Sequence, residues 1–180
     1  MPVDTADRVS AAAGTVTAVD RPLAVVDLDG VVADVRHRLV HLRGRKNWDA
    51  FFNAAGDDPA HPEGLAIVAT LAAGHDIVYV TGRPERLRAV TEAWLDDHGV
   101  GGHRLLMRGD GDRRPAAQTK VGIVRRLSVE RPVAVVVDDD ADVLQAMRAA
   151  GFTVFEATWE RRAASDDDAL RAAQQADGRS

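Results

Sequence analysis

Apolar residues fall in short unbroken runs along the middle of the chain. Leu23-Ala24-Val25-Val26, Asp76-Ile77-Val78-Tyr79-Val80 and Val133-Ala134-Val135-Val136-Val137 are the strongest, and Arg104-Leu105-Leu106-Met107 and Phe152-Thr153-Val154-Phe155 are weaker. Runs of this length without alternation are what a strand covered on both faces requires. Between them lie patterns of helical period. Leu65, Val68, Leu71 and Ala72 end at Gly74; Leu87, Val90 and Trp94 follow Pro84 and end at Gly99. Ala117, Val121, Val124 and Leu127 form a third face, and Val143, Leu144 and Met147 a fourth, stopped by Gly151. Pro near a helix start and Gly past its end are the expected punctuation. Strands alternating with helices of this length predict an α/β fold, a parallel sheet wrapped on both sides.

Three stretches stand outside the alternation. Residues 34–63 are first basic, then aromatic at Trp48, Phe51 and Phe52, then turn-like at Gly56-Asp57-Asp58-Pro59. This reads as a small insert over one end of the sheet, with the three aromatics as its core. Residues 1–20 lack any period and read as a flexible tail, so the ordered domain is expected over 21–158. Residues 159–180 read as a polar C-terminal tail, in which Ser165 to Ala176 fits a marginal surface helix.

Composition narrows the chemistry. At 180 residues, 46% apolar and 28% charged, the chain suits one globular domain. The absence of cysteine excludes a disulfide scaffold, a thiolate metal site and a cysteine nucleophile. No apolar run approaches the ~20 residues that cross a bilayer, and no signal-peptide pattern opens the chain; a cytoplasmic protein is expected. The formal net charge of −5 argues against indiscriminate nucleic-acid binding. Positive charge is nevertheless concentrated: Arg36, His37, Arg38, His41, Arg43, Arg45 and Lys46 crowd one stretch, and Arg104, Arg108, Arg113 and Arg114 form another. Each is either solvated surface or a positive rim around a phosphate site.

In an open parallel sheet, ligands bind beyond the carboxyl ends of the strands. Three predicted strands run there into chemistry-bearing residues: Asp27-Leu28-Asp29-Gly30, Thr81-Gly82-Arg83 and Asp138-Asp139-Asp140. Asp27 and Asp29, two apart, share one side of an extended backbone. Carboxylates that close repel unless a cation lies between them or one keeps its proton. An all-oxygen donor set suits a hard cation such as Mg²⁺.

The run Val26-Asp27-Leu28-Asp29-Gly30-Val31-Val32-Ala33-Asp34 resembles the first motif of the haloacid dehalogenase (HAD) superfamily, with Thr81, Lys120 and Asp138-Asp139 resembling its second, third and fourth. Within it the chain is most similar to the phosphatase domain of phage-type polynucleotide kinase 3′-phosphatases. That narrower likeness rests on Arg38, Trp48 with Phe51, Thr81-Gly82-Arg83-Pro84-Glu85, Leu106-Met107-Arg108, Gly111-Asp112-Arg113-Arg114-Pro115, Lys120 and Val136-Val137-Asp138-Asp139. It spans roughly Leu23 to Phe155. Two features depart from it. No Gly-x-x-x-x-Gly-Lys-Ser/Thr loop occurs, and Asp140 stands where those phosphatases often carry Arg.

The resemblance implies a single Rossmann-like HAD domain and a Mg²⁺-dependent phosphomonoesterase. It implies that Asp27 attacks phosphorus and Asp29 serves as general acid and base, its backbone carbonyl also reaching the metal. Asp139 is the first choice for the third protein ligand, with Asp138 second or in the outer shell. Thr81 and Lys120 would hold the transferring phosphoryl group, and Arg38, Gly82, Arg83 and Asp112 would serve substrate binding. The implied substrate is a 3′-phosphorylated nucleic-acid end, the rival a nucleotide or another small phosphate ester, with no membrane partner. A phosphoacceptor signalling module is the alternative from another class, and a catalytically silent binding protein the third. Of the six histidines none shows metal or triad spacing, and none is expected to be catalytic.

Overall fold

The computed structural model describes residues 21–43 and 45–160. The tail expected over 1–20 and the helix expected from Ser165 to Ala176 lie outside the described residues.

Five parallel strands form one sheet: β1 (Leu23–Val26), β2 (Asp76–Pro84), β3 (Arg104–Arg108), β4 (Val133–Asp138) and β5 (Val154–Glu156), in the order β3-β2-β1-β4-β5. The α/β architecture read from the alternation is the one observed. β1 is central, with Val26 opposite Tyr79 of β2 and Val137 of β4. The chain winds outward through β2 and β3, then returns to the other side of β1. This reversal opens a crevice at the carboxyl end of β1, where ligands bind in such sheets.

β1 is short and wholly apolar because each face is covered. Leu23 and Val25 pack with Val124, Leu127, Val143 and Met147, from α4 (Ala116–Glu130) and α5 (Ala141–Ala149). Ala24 and Val26 face the opposite way, into a cluster with Val68 of α2 (Pro62–Ala72) and Trp94 and Leu95 of α3 (Arg88–Asp97). Alternate residues of one strand thus feed two cores, as strand periodicity dictates.

The insert roots in the turn after β1. Gly30 takes φ +84°, a conformation that favours glycine, and the N–H groups of Val31, Val32 and Ala33 all donate to the Leu28 carbonyl. The base closes through Asp34 N–H to Pro59 O and His61 N–H to Val32 O, both 2.8 Å. Within it, a 3-10 segment Arg36–Leu42 leads to the short helix α1 (Trp48–Asn53), capped by the Asn47 side chain. Trp48, Phe51 and Phe52 form the buried centre, with ring centroids 5.4–5.7 Å apart. Gly64 at the head of α2 admits no side chain, since a Cβ there would stand 2.1 Å from the Val31 carbonyl oxygen.

Four expectations need correction. Thr81-Gly82-Arg83 lies within β2, which continues to Pro84 opposite Arg108. The helix expected to present Leu87, Val90 and Trp94 starts at Arg88; Leu87, just before it, and Trp94 are buried as expected, with Thr91 and Leu95, but Val90 is 38% exposed. α4 buries Ala116, Thr119, Lys120, Ile123, Val124 and Leu127, a face rotated from the one the apolar residues alone suggest. A charge can lie on a buried helix face only when it is paired, and two carboxylates wait for Lys120. Trp159 and Glu160, expected in the tail, are packed: Trp159 Nε1–H donates to the Val31 carbonyl, and Glu160 reaches His61 and the Val35 N–H.

Candidate active site

Two charge clusters occupy the carboxyl edge of the sheet. The first centres on Lys120. Its Nζ donates to Asp27 Oδ2 at 2.6 Å and to Asp138 Oδ2 at 2.8 Å. Asp27 follows β1 directly and is fixed by its N–H donating to the Val137 carbonyl, while Asp138 ends β4. Asp139 stands beside them, and one carboxylate oxygen from each of Asp27, Asp138 and Asp139 lies within 4.8 Å of the others. Burial works against the Lys120 charge, but Asp138 and Asp27 outweigh it, so the ammonium holds its proton more tightly than a free lysine. Burial raises the Asp27 carboxyl well above its ordinary range, against the pull of Lys120 and with Asp138 and Asp139 adding to the rise.

Two buried carboxylates, Asp27 and Asp138, share the one ammonium of Lys120, which leaves negative charge in excess where burying an ion without compensation costs several kcal/mol. Asp27 Oδ1 is buried and lacks a hydrogen-bond partner. An all-oxygen donor set, excess negative charge and an orphaned carboxylate oxygen together fit a hard divalent cation.

The second cluster centres on Asp29. Arg38 Nη2 lies 2.8 Å from Asp29 Oδ1, and Arg83 approaches the same oxygen through Nε at 2.8 Å and Nη2 at 2.7 Å. Both guanidinium groups are fully buried. Burial opposes ionisation of Asp29, but the two arginines win and hold its carboxyl well below the usual carboxylate range. The counterweight is Asp58. It receives Arg38 Nε at 2.8 Å and Nη2 at 2.9 Å, Arg83 Nη2 at 2.7 Å, and His37 Nε2 stands 2.7 Å away. Arg38 also lies over the Phe51 ring, 4.2 Å from its centroid. Each arginine keeps a buried Nη1 without a partner, as does Asp29 Oδ2.

Among the residues singled out by sequence, Asp27, Lys120, Asp138 and Asp139 meet in the first cluster, and Asp29, Arg38 and Arg83 in the second. Thr81 and Gly82 lie on β2 just before Arg83, and the buried Thr81 Oγ1 accepts the Arg83 N–H at 3.1 Å. Asp112 lies in the loop after β3, where Arg114 binds both its oxygens and Thr119 Oγ1 donates to Oδ2 at 2.9 Å. It thereby orders the approach to α4 one residue before Lys120. The member missed by sequence reasoning is Asp58, read as a turn residue. Its signal lay in Arg38: an arginine held inside an aromatic insert demands a carboxylate, and Asp57-Asp58 was near at hand. Asp34, His61 and Glu160 also converge. There Arg36 holds Asp34, and His61 and the Val35 N–H hold Glu160.

Residues 22–160 match the family described as the polynucleotide kinase PNKP phosphatase domain. None of the curated proteins compared matches the chain. Among solved structures it is similar to a chain of the Pnkp1/Rnl/Hen1 RNA repair complex, at 21% identity and a TM-score of 0.63, covering 76% of this chain and 42% of that one. A second structure of a Pnkp1/Rnl/Hen1 complex gives 20% identity, a TM-score of 0.65 and coverage of 79% and 48%. The chain thus spans less than half the length of these relatives. A haloacid dehalogenase-like hydrolase, SP0104 from Streptococcus pneumoniae, gives 9% identity and a TM-score of 0.54, covering 88% of this chain and 92% of that one.

Proposed function

The chain belongs to the PNKP phosphatase-domain family within the haloacid dehalogenase hydrolases, and from that footing we propose a Mg²⁺-dependent phosphomonoesterase that acts through an aspartyl-phosphate on Asp27. The substrate we assign is a 3′-phosphorylated nucleic-acid end. The observation that carries the mechanism is the state of Asp27: Lys120 holds Oδ2, and Oδ1 is buried without a partner beside Asp138 and Asp139. The substrate rests on the family and on the RNA-repair chains that share the fold.

Asp27, Asp138 and Asp139, with the Asp29 backbone carbonyl, would hold Mg²⁺. Such an ion would neutralise charge between an anionic nucleophile and an anionic substrate. The Asp27 carboxylate attacks phosphorus, and the ester P–O bond breaks as Asp29 gives its proton to the departing oxygen. Asp29, now a carboxylate, takes a proton from water that attacks the same phosphorus. The bond to Asp27 then breaks, releasing inorganic phosphate and restoring the aspartate. Lys120 offsets charge on the transferring group, and Thr81 offers it a hydroxyl with Gly82 beside it.

Asp29 has to hold a proton in one step and release it in the other, and its two arginines control the exchange. With Arg38 and Arg83 on Asp29 the carboxyl stays ionised. A phosphate drawing either guanidinium toward itself through the unpaired Nη1 loosens that hold and raises the proton affinity of Asp29. Asp58 keeps both arginines tethered to the insert as that hold loosens, and Asp112 orders the loop leading to Lys120.

The test is release of inorganic phosphate from a 3′-phosphorylated oligonucleotide, with nucleoside monophosphates as comparison, with and without chelator. Chelator-sensitive release from the nucleic-acid end, together with acid-stable labelling of Asp27 after rapid quenching, is the expected result. Failure to hydrolyse any phosphate ester in the presence of Mg²⁺ overturns the reading.

A further inference from the structure

The charge around the site is one-sided. Beyond β4 the rim is acidic, with Asp139 and Asp140 at the end of the strand and Asp142 in the first turn of α5. Asp140 is committed there, since its side chain accepts the N–H groups of Asp142 and Val143. On the other side stands the insert. Residues 36–46 carry Arg36, Arg38, Arg43, Arg45 and Lys46 without one acidic residue, in a chain of net charge −5. Arg38 is consumed by the site, and Arg36 by Asp34. Arg45 and Lys46 are exposed and engage no carboxylate among the described residues. With Asn47, Trp48 and Asp49 they line an open groove of about 540 Å³.

A chain of contacts ties this groove to the reacting centre. Trp48, in its wall, meets Phe51 at 5.7 Å between centroids; Phe51 lies under Arg38 at 4.2 Å; Arg38 binds Asp29 at 2.8 Å. Asp49 at its other end meets Arg86, just past the end of β2, at 3.3 Å. The groove is thus joined to the site through the aromatic centre of the insert. Built from one short run of side chains, it suits a single backbone rather than a duplex.

We infer that a single-stranded nucleic acid whose terminal phosphate sits at Asp27 leaves the site over the insert, its next phosphates passing along Arg45 and Lys46, away from the acidic corner at α5. This path rests on the proposed phosphatase reading and adds to it a direction and a contact surface. A positive groove tracking the backbone is the usual device for binding a single strand without regard to sequence.

The experiment compares a nucleoside 3′-monophosphate with a 3′-phosphorylated single strand of about ten nucleotides, using the wild-type chain, the double variant Arg45→Glu, Lys46→Glu, and Arg125→Glu, Arg126→Glu on α4 as a control of equal charge change. Each phosphate contact on a single strand adds about 0.7 to the logarithmic salt slope. Two contacts make KM for the strand rise about sevenfold between roughly 50 and 200 mM salt. The wild-type chain and the α4 control are expected to show that rise; the insert variant loses it, while kcat and KM for the monophosphate stay within about twofold. A wild-type chain that treats strand and monophosphate alike overturns the path, as does an insert variant that keeps the salt slope. Either result leaves the phosphatase reading standing, because that reading is judged by hydrolysis of the monophosphate and strand in the wild-type chain.

Discussion

Lys120 stands 2.6 Å from Asp27, ninety-three residues away in sequence, and supplies the ammonium that the buried Asp27 and Asp138 share. Replacing it by Met leaves two buried carboxylates without their cation. Turnover is expected to fall by at least about 10²-fold, the usual cost of one electrostatic stabiliser. Mg²⁺ should then stabilise the variant more than it stabilises the wild-type chain, because the ion becomes the only counter-charge. Thermal melting with and without Mg²⁺ measures this; an equal shift in both proteins would contradict it.

Asp27→Asn removes the carboxylate proposed to attack phosphorus without changing its shape. Phosphate release should drop by at least about 10³-fold, and no phosphoenzyme should be trapped by acid quenching. Urea unfolding is expected to shift toward greater stability, since one like charge leaves a crowded pocket.

Asp29→Asn tests acid–base work through the leaving group. An ester with a poorly stabilised alkoxide should lose about 10²–10⁴-fold in rate. An activated aryl phosphate, whose leaving oxygen needs no proton, should lose far less in the phosphorylation step. Quench-flow measurement of that step on the two esters separates a proton donor from a residue that merely shapes the pocket.

The Asp29 pairing also sets a pH dependence. Burial opposes the charge but Arg38 and Arg83 outweigh it, so the folded carboxyl lies below its unfolded value, which is about 3.9. Its contribution to stability is fully present above that value and is lost as pH falls through it toward the folded one. The difference in urea midpoint between wild type and Asp29→Asn should therefore narrow between about pH 7 and pH 3. A constant difference would show that the arginines do not hold Asp29 ionised.

Asp58→Ala deprives two fully buried arginines of a shared partner. Breaking a buried ion pair this way costs about 3–5 kcal/mol. Asp58→Asn, which retains acceptor capacity, should recover part of the stability yet remain impaired in turnover, because Arg38 and Arg83 lose their alignment on Asp29. Denaturant unfolding and steady-state kinetics on both variants give the comparison.

The strands and the first motif were legible for a plain reason. β1 and β4 are covered on both faces, so burial writes itself as unbroken apolar runs, and the polar residues that follow mark the catalytic edge. Helix faces were less legible where chemistry displaced apolarity. α4 turns Lys120 inward, and a reading based on apolar spacing alone selects Ala117 and Val121, which are only half-buried. Asp58 was hidden because its meaning lies in Arg38 and Arg83, twenty and twenty-five residues away. Its own neighbourhood, Gly56-Asp57-Asp58-Pro59, carries every mark of a turn. Trp159 and Glu160 sit in a polar stretch, and nothing local announces that one reaches the Val31 carbonyl and the other His61.

Those last two contacts span 128 and 99 residues, and they bear on how the protein is born. A ribosome releasing this chain from its N-terminus delivers Asp27, Asp29 and the insert long before β4 and the residues that clasp the insert. Until Val133–Glu160 emerges, Asp27 has neither its acidic neighbours nor a closed surround. Early fragments therefore hold exposed apolar strands and mismatched charge, a stretch of synthesis in which a nascent chain is open to wrong associations. Competence arrives late and all together.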